Sequence, residues 1–209
     1  MTEVKICGIG DRTSALAAAA AGADLLGFHF CSSPRRIAPE VARDIVAEVR
    51  ALPGRTPDIV GVFIDPTEDE VETTVRSVGL DRVQLHGREE PGFRASRPIL
   101  KVLRVLETGI EGDGSWPDPI ILDSWSADGR GGTGRTWRWD LAEALARRRS
   151  VFLAGGLTPD NVTDAIRALR PHGVDVSSGV ETGMPGRKDP KLVKAFVQAV
   201  RRVDVAVAR

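Results

Sequence analysis

Two residues of opposite proton chemistry each close a short apolar run. Cys7 follows Val4-Lys5-Ile6, and Asp123 follows Ile120-Ile121-Leu122. A thiolate can take a proton from carbon and a protonated carboxyl can give one to oxygen, so the pair could act in sequence on opposite sides of one small molecule. A lone cysteine is equally at home as a small buried hydrophobe, and an aspartate after a strand as a helix cap. Both readings stand at this point.

Glycines mark a third feature. Gly155-Gly156 and Ser178-Gly179 follow consecutive apolar runs near the C-terminus. Either pair alone is a turn; two pairs on neighbouring loops point to a phosphate, because glycine lets backbone N–H groups close on an anion. Lys5 shares a face with Cys7 by the two-residue period of a strand, where its ammonium could favour a thiolate or pair with a carboxylate. A working base requires the thiol below its ordinary value of about 8.5, and a working acid requires the carboxyl above about 3.9. Asp175 shares a face with Ser177; a carboxylate inside a filled strand needs partners, and substrate hydroxyls or an amine are candidates. His86 closes another run, where a structural histidine or a supporting site residue both fit. Gly129–Gly134 matches G-x-G-x-x-G, but five residues separate Asp123 from Gly129 and no acidic residue falls in Ser150–Gly156. A dinucleotide fingerprint needs an immediate turn and an acidic residue about 20 positions on. Residues 126–136 instead suit a loop over the site.

Positioning these groups requires regular elements. Val4–Cys7, Asp24–Phe30, Asp58–Ile64, Arg82–His86, Ile99–Val105, Pro119–Ser124, Ser150–Ala154 and Gly173–Ser177 read as eight strands. Their near-continuous apolarity suits parallel strands covered on both faces. Helical stretches alternate with them. Asp11 can cap a helix through Ala21, Thr67 and Glu70 have capping-box spacing, and Thr158-Pro159 and Asp189-Pro190 pair a cap with proline at the first helical position. Leu192, Val193, Phe196, Val197, Val200 and Val203 draw one apolar stripe. Three glycines in Glu107–Trp116 argue against a regular fifth helix. The expected fold is α/β: a single (β/α)8 TIM barrel over residues 1–209 with a weak or missing fifth helix. A doubly wound sheet is the competing architecture. In such a barrel the active site lies at the strand C-termini, where Cys7, His86, Asp123 and both glycine pairs fall.

Composition excludes several classes. Of 209 residues 42% are hydrophobic, and 29 basic residues balance 29 acidic ones. That argues against nucleic acid or an anionic membrane as partner. Arg147-Arg148-Arg149 reads as the solvated end of a helix. The Ala15–Ala23 run is broken by Asp24 and is far short of the ~20 residues of a membrane span. No secretion signal is read at Met1, and two cysteines make no disulfide framework, so a cytoplasmic protein is expected. The histidines and cysteines show no metal-ligand spacing.

Lys5-Ile6-Cys7-Gly8 resembles the opening of the phosphoribosylanthranilate isomerase family. The likeness continues through Gly27-Phe28, Ser33-Pro34-Arg35-Arg36, Val60–Phe63, Val83–Gly87, Leu122-Asp123-Ser124, Gly131–Gly134, Leu153–Leu157 and Gly173–Glu181. It covers nearly the whole chain in order. The resemblance implies an Amadori rearrangement of a phosphoribosyl substrate in tryptophan biosynthesis. Cys7 would be the base and Asp123 the acid, with no cofactor because only protons move. Arg36 would bind the aryl carboxylate, since guanidinium reads carboxylate bidentately, and Arg35 would lie at the surface. Gly155, Gly156, Ser178 and Gly179 would hold the phosphate, with Asp175 and His86 also on the substrate. A monomer or homodimer is expected. Another phosphosugar isomerase, or a phosphoribosyl-binding regulator without catalysis, remains as an alternative. His29 and Cys31 depart from the bulkier apolar or aromatic residues expected at their places, Arg135 from a lysine, and Trp137 from a phenylalanine.

Overall fold

The computed structural model describes residues 1–106, 109–111, 115–123 and 139–207. Nine strands form its sheet: β1 (Glu3–Cys7), β2 (Leu25–His29), β3 (Asp58–Phe63), β4 (Arg82–Leu85), β5 (Ile99–Leu106), β6 (Gly109–Glu111), β7 (Ile120–Asp123), β8 (Val151–Ala154) and β9 (Gly173–Val176). Their order is β4-β3-β2-β1-β9-β8-β7-β5-β6, and an additional β4–β5 pairing closes the ring. Only β6 is antiparallel, folded back on β5 as a hairpin; the other strands make a closed parallel barrel.

Period-two alternation sorts the side chains. Val4, Ile6, Leu26, Phe28, Ile120 and Leu122 point outward into the main core, against helical residues such as Ala15, Val46 and Phe196. Leu25, Val60, Leu100, Val102, Ile121, Phe152 and Ala154 fill the interior as a separate cluster. The barrel is therefore packed, not hollow.

Local helix signals act largely as read. Asp11 caps α1 (Arg12–Ala20) through Ser14 N at 2.9 Å, and Thr67 with Glu70 forms the full capping box of α3 (Glu68–Thr74). α2 spans Pro39–Arg50, α4 Trp139–Ala146, and α6 Pro190–Val207, where Asp189 Oδ1 accepts from Lys191 N at 2.7 Å. α5 (Val162–Leu169) begins later than Thr158-Pro159 suggests. Thr158 O accepts from Asn161 N and Val162 N, so these residues form a turn before the helix proper. In α6 the stripe is buried except for Leu192, which is 36% exposed.

The fifth helix is absent among the described residues, with β6 in its place. The segment 86–98 between β4 and β5 is not helical either, against the expected alternation. Pro91-Gly92 interrupts it, and its amides bond to α3: Glu68 Oε1 accepts from Arg94 N at 2.8 Å and Glu72 Oε1 from Ser96 N at 2.6 Å. With neither helix found among the described residues on this side, Trp116 covers the outside, 5% exposed, beneath Lys101 at 5.5 Å from its ring. Lys101 is itself paired with the buried Glu89. Arg149, expected among solvated arginines, bonds to Asp118 at 2.7 Å and to Trp116 O, and is 14% exposed.

Candidate active site

The inward-facing positions of the last strand layer hold the candidate groups. Cys7 ends β1, His29 ends β2, His86 follows β4, Asp123 ends β7, and Ser177 follows β9. Cys7 and Asp123 stand three strands apart in the ring, so they face one another across the mouth. Residues 124–138 lie outside the described residues, and with them the expected loop at 126–136, Trp125 and Trp137.

Cys7 is 5% exposed. Its register partner on β2 is Gly27, where an added Cβ would lie 2.8 Å from Cys7 Sγ and 3.2 Å from Lys5 Nζ. Glycine there leaves room for thiol and ammonium to sit together. Lys5 is wholly buried, and its Nζ donates to Asp175 Oδ2 at 2.8 Å, across a β1–β9 register that pairs the two residues directly. Asp175 Oδ1 is buried with no partner among the described residues, an acceptor in need of a donor.

Burial pushes the Cys7 thiol up, the Asp175 charge pushes it further, and Lys5 only partly opposes them. The lowered thiol pKa expected from Lys5 is thus not found in the free chain. Lys5 is already engaged by a carboxylate. Burial would lower Lys5, but Asp175 and Cys7 hold it above its ordinary value and therefore charged. Asp123 behaves as an acid requires: burial first, then the Asp175 charge, raises its carboxyl to about 6. Asp123 Oδ2 lies 3.7 Å from His86 Nε2. Burial, with Arg104 nearby, lowers His86 to about 4, so the imidazole is neutral and does not force the carboxyl to ionise.

The glycine loops meet as the sequence suggests. Gly155 and Gly156 follow β8 with φ of 89° and 66°, and a Cβ at Gly156 would meet nothing within 4 Å, so its outer side is open. After β9, Ser178–Val180 forms one turn of 3-10 helix, whose leading amides have no acceptor within the turn. Gly179 also has a packing reason to be glycine: an added Cβ would lie 1.9 Å from Leu157 O, so the two loops touch backbone to backbone.

Of the two arginines after β2, Arg36 pairs in register with the inward-facing His29 through an isolated parallel bridge. Arg36 is exposed. Arg35, read as surface, crosses Gly8 and is held bidentately by Glu181, at 2.7 and 2.8 Å. Glu181 also accepts from the wholly buried Lys188 at 2.9 Å, and Lys188 Nζ reaches Ser177 O at 3.1 Å. Burial opposes ionisation of Glu181, but Arg35 and Lys188 override it and bring the carboxyl to about 2. This network ties the loop after β2 to the loop after β9. Sequence reading also passed over His29, whose Nε2 is 3.5 Å from Cys7 Sγ. The two-residue period from Leu25 through Gly27 was the signal that pointed it inward.

A closed parallel barrel with a buried thiol and a raised carboxyl opposed at its mouth has the form of a (β/α)8 enzyme suited to acid–base chemistry. The family model for N-(5'phosphoribosyl)anthranilate (PRA) isomerase matches residues 4–199. The chain belongs to that family. It is 45% identical over 206 residues to the N-(5'-phosphoribosyl)anthranilate isomerase of Pelobacter propionicus, covering 96% of each chain. It superposes on the phosphoribosyl anthranilate isomerase of Thermotoga maritima with TM-score 0.83 at 35% identity, covering 97% of this chain and 100% of the other. A further isomerase, solved with reduced 1-(o-carboxyphenylamino)-1-deoxyribulose 5-phosphate, matches with TM-score 0.79 at 33% identity, covering 97% and 100%.

Proposed function

We propose that this chain converts N-(5-phosphoribosyl)anthranilate to 1-(2-carboxyphenylamino)-1-deoxyribulose 5-phosphate, with Asp123 as acid and Cys7 as base. Asp123 gives its proton to the furanose ring oxygen; the C1–O bond breaks and the nitrogen lone pair forms the Schiff base. Cys7 as thiolate then takes the C2 proton, the electrons move towards nitrogen, and the resulting enolamine tautomerises to the ketone. In that last step Cys7 returns its proton to C1 and the Asp123 carboxylate takes the proton of the C2 hydroxyl, so each proton lost has an acceptor and both groups are restored.

The observation that carries this reading is the raised carboxyl of Asp123, about 6, opposite a buried cysteine at the same mouth. An ordinary aspartate would hold almost no proton at neutral pH. His86 supports the acid by remaining neutral beside it. The unpartnered Asp175 Oδ1 suits a substrate hydroxyl or amine. Amides at Gly155, Gly156, Ser178 and Gly179 suit the phosphate, whose binding energy would orient the reacting carbons. The aryl carboxylate falls to the arginines after β2. Arg36, in register with the inward-facing His29, is the one offered to it, because Arg35 is held by Glu181. The enzyme acts in the cytoplasm as a monomer or homodimer; among the described residues no helix is long and apolar enough to cross a membrane.

Consumption of anthranilate phosphoriboside by purified protein, followed by its fluorescence, tests the reaction. Cys7→Ala should lower kcat roughly 100-fold or more while a phosphorylated product analogue still binds. Near wild-type turnover by that variant would show Cys7 to be a packing residue.

A further inference from the structure

Cys7 has a second polar neighbour besides Lys5. His29 Nε2 lies 3.5 Å from Cys7 Sγ, and His29 Nδ1 lies 3.0 Å from Ser33 Oγ. The Ser33 oxygen also accepts from Arg35 N at 3.1 Å. That bond uses one lone pair and leaves the hydroxyl a lone pair and its proton. The hydroxyl can therefore accept from Nδ1–H or donate to Nδ1, and the imidazole can hold either tautomer without losing a partner.

The distinction matters because thiol and thiolate need opposite partners. A thiol gives its S–H, whereas a buried thiolate needs donors. Lys5 is a donor but is shared with Asp175 at 2.8 Å. His29 bonds to Cys7 and Ser33 and to no carboxylate among the described residues. We propose that His29 is the positioning residue of Cys7. It accepts from the thiol in one tautomer and donates to the thiolate in the other, and the Ser33 hydroxyl reverses its role between them.

The charged and titratable groups facing this thiol come from several elements. They are Lys5 on β1, Asp175 on β9, and Lys188 in the loop before α6. Arg35 and Cys31 in the loop after β2 also interact with it electrostatically. His86 and Asp123 complete the mouth, the former felt by His29 and the latter by the Lys5–Asp175 pair. Burial first, then the charges of Lys5, Arg35 and Lys188, lowers His29 to about 3. The imidazole is thus neutral at working pH and acts through a directed hydrogen bond, not through charge.

The inference rests on Cys7 as the base, and its test separates the two. The ultraviolet absorbance of the thiolate is titrated in the free protein carrying Cys31→Ser, with Cys7→Ala in the same background as blank. His29→Val, a β-branched residue suited to a strand end, removes the donor; His29→Gln keeps an N–H. The Cys7 midpoint should rise by about one to two pH units in His29→Val, the size of one hydrogen bond to a charged group. His29→Gln should bring it back towards the parent. The acid limb of kcat/KM should move with the midpoint, whereas a merely structural role would alter stability or KM and leave the midpoint in place. An unmoved midpoint in His29→Val, or no recovery in His29→Gln, overturns the role of His29. An active Cys7→Ala enzyme would instead overturn the base assignment, leaving a shifted midpoint intact.

Discussion

Replacing Asp123 by asparagine should make the protein more stable and nearly inactive. Burial raises the carboxyl from 3.8 to about 6, a shift of about two units, or roughly 3 kcal/mol at 1.36 kcal/mol per unit. The folded state therefore binds more protons than the unfolded chain between these values, and stability falls as pH rises from about 4 to about 6. Above that window the folded protein carries the full cost of a buried carboxylate. Asparagine has nearly the same shape and no charge. At neutral pH the variant should gain up to about 3 kcal/mol, which at roughly 2–4 °C per kcal/mol for a domain of this size is on the order of 6–12 °C in Tm. Below about pH 4 both proteins are neutral at this position and the difference should vanish. His29 and His86 titrate in both proteins, so their contributions largely cancel in the comparison. Scanning calorimetry of both proteins across this range gives the difference curve, and steady-state kinetics should show kcat down roughly 100-fold or more. An asparagine variant no more stable than wild type at neutral pH, or one whose advantage is independent of pH, would refute the origin of the acid in burial.

The remaining expectations concern the phosphate loops and the thiols. Gly156→Asp places a negative charge in open space beside the two glycine loops, so KM should rise steeply, and inorganic phosphate should compete with substrate in the wild type. Normal KM together with no competition would place the phosphate elsewhere. Gly179→Asp should instead lower stability, because its side chain would start 1.9 Å from Leu157 O; thermal melts distinguish this from a pure binding defect. Sequence alone suggests that iodoacetamide labels Cys7 first. The structure reverses the order in the free protein: burial pushes both thiols up, but Cys7 is 5% exposed whereas Cys31 is the more accessible. Mass spectrometry of a brief labelling should find Cys31 modified ahead of Cys7, and the opposite order would mean that Cys7 is already largely thiolate.

The strands, most of the caps and the strand-end position of Cys7 and Asp123 could be read from sequence, because each depends on residues within a few positions. Apolar runs of strand length, a Thr67–Glu70 box and proline after Asp189 act locally, and the two-residue period decides which side chains face inward. The missing helix after β4 was not legible, since it depends on Glu68 and Glu72 taking amides more than twenty positions away. The same holds for the site. Asp175 reaches Lys5 across 170 residues of chain, and Glu181 reaches Arg35 across 146. Only that closure decided that Lys5 is shared and that the thiol is pushed up, and it also closed Arg35 onto Glu181. Sequence determined which groups could do acid–base chemistry and on which face they stand. The tertiary structure decided their proton affinities and partners, because burial and charge at a barrel mouth are set by every strand that ends there.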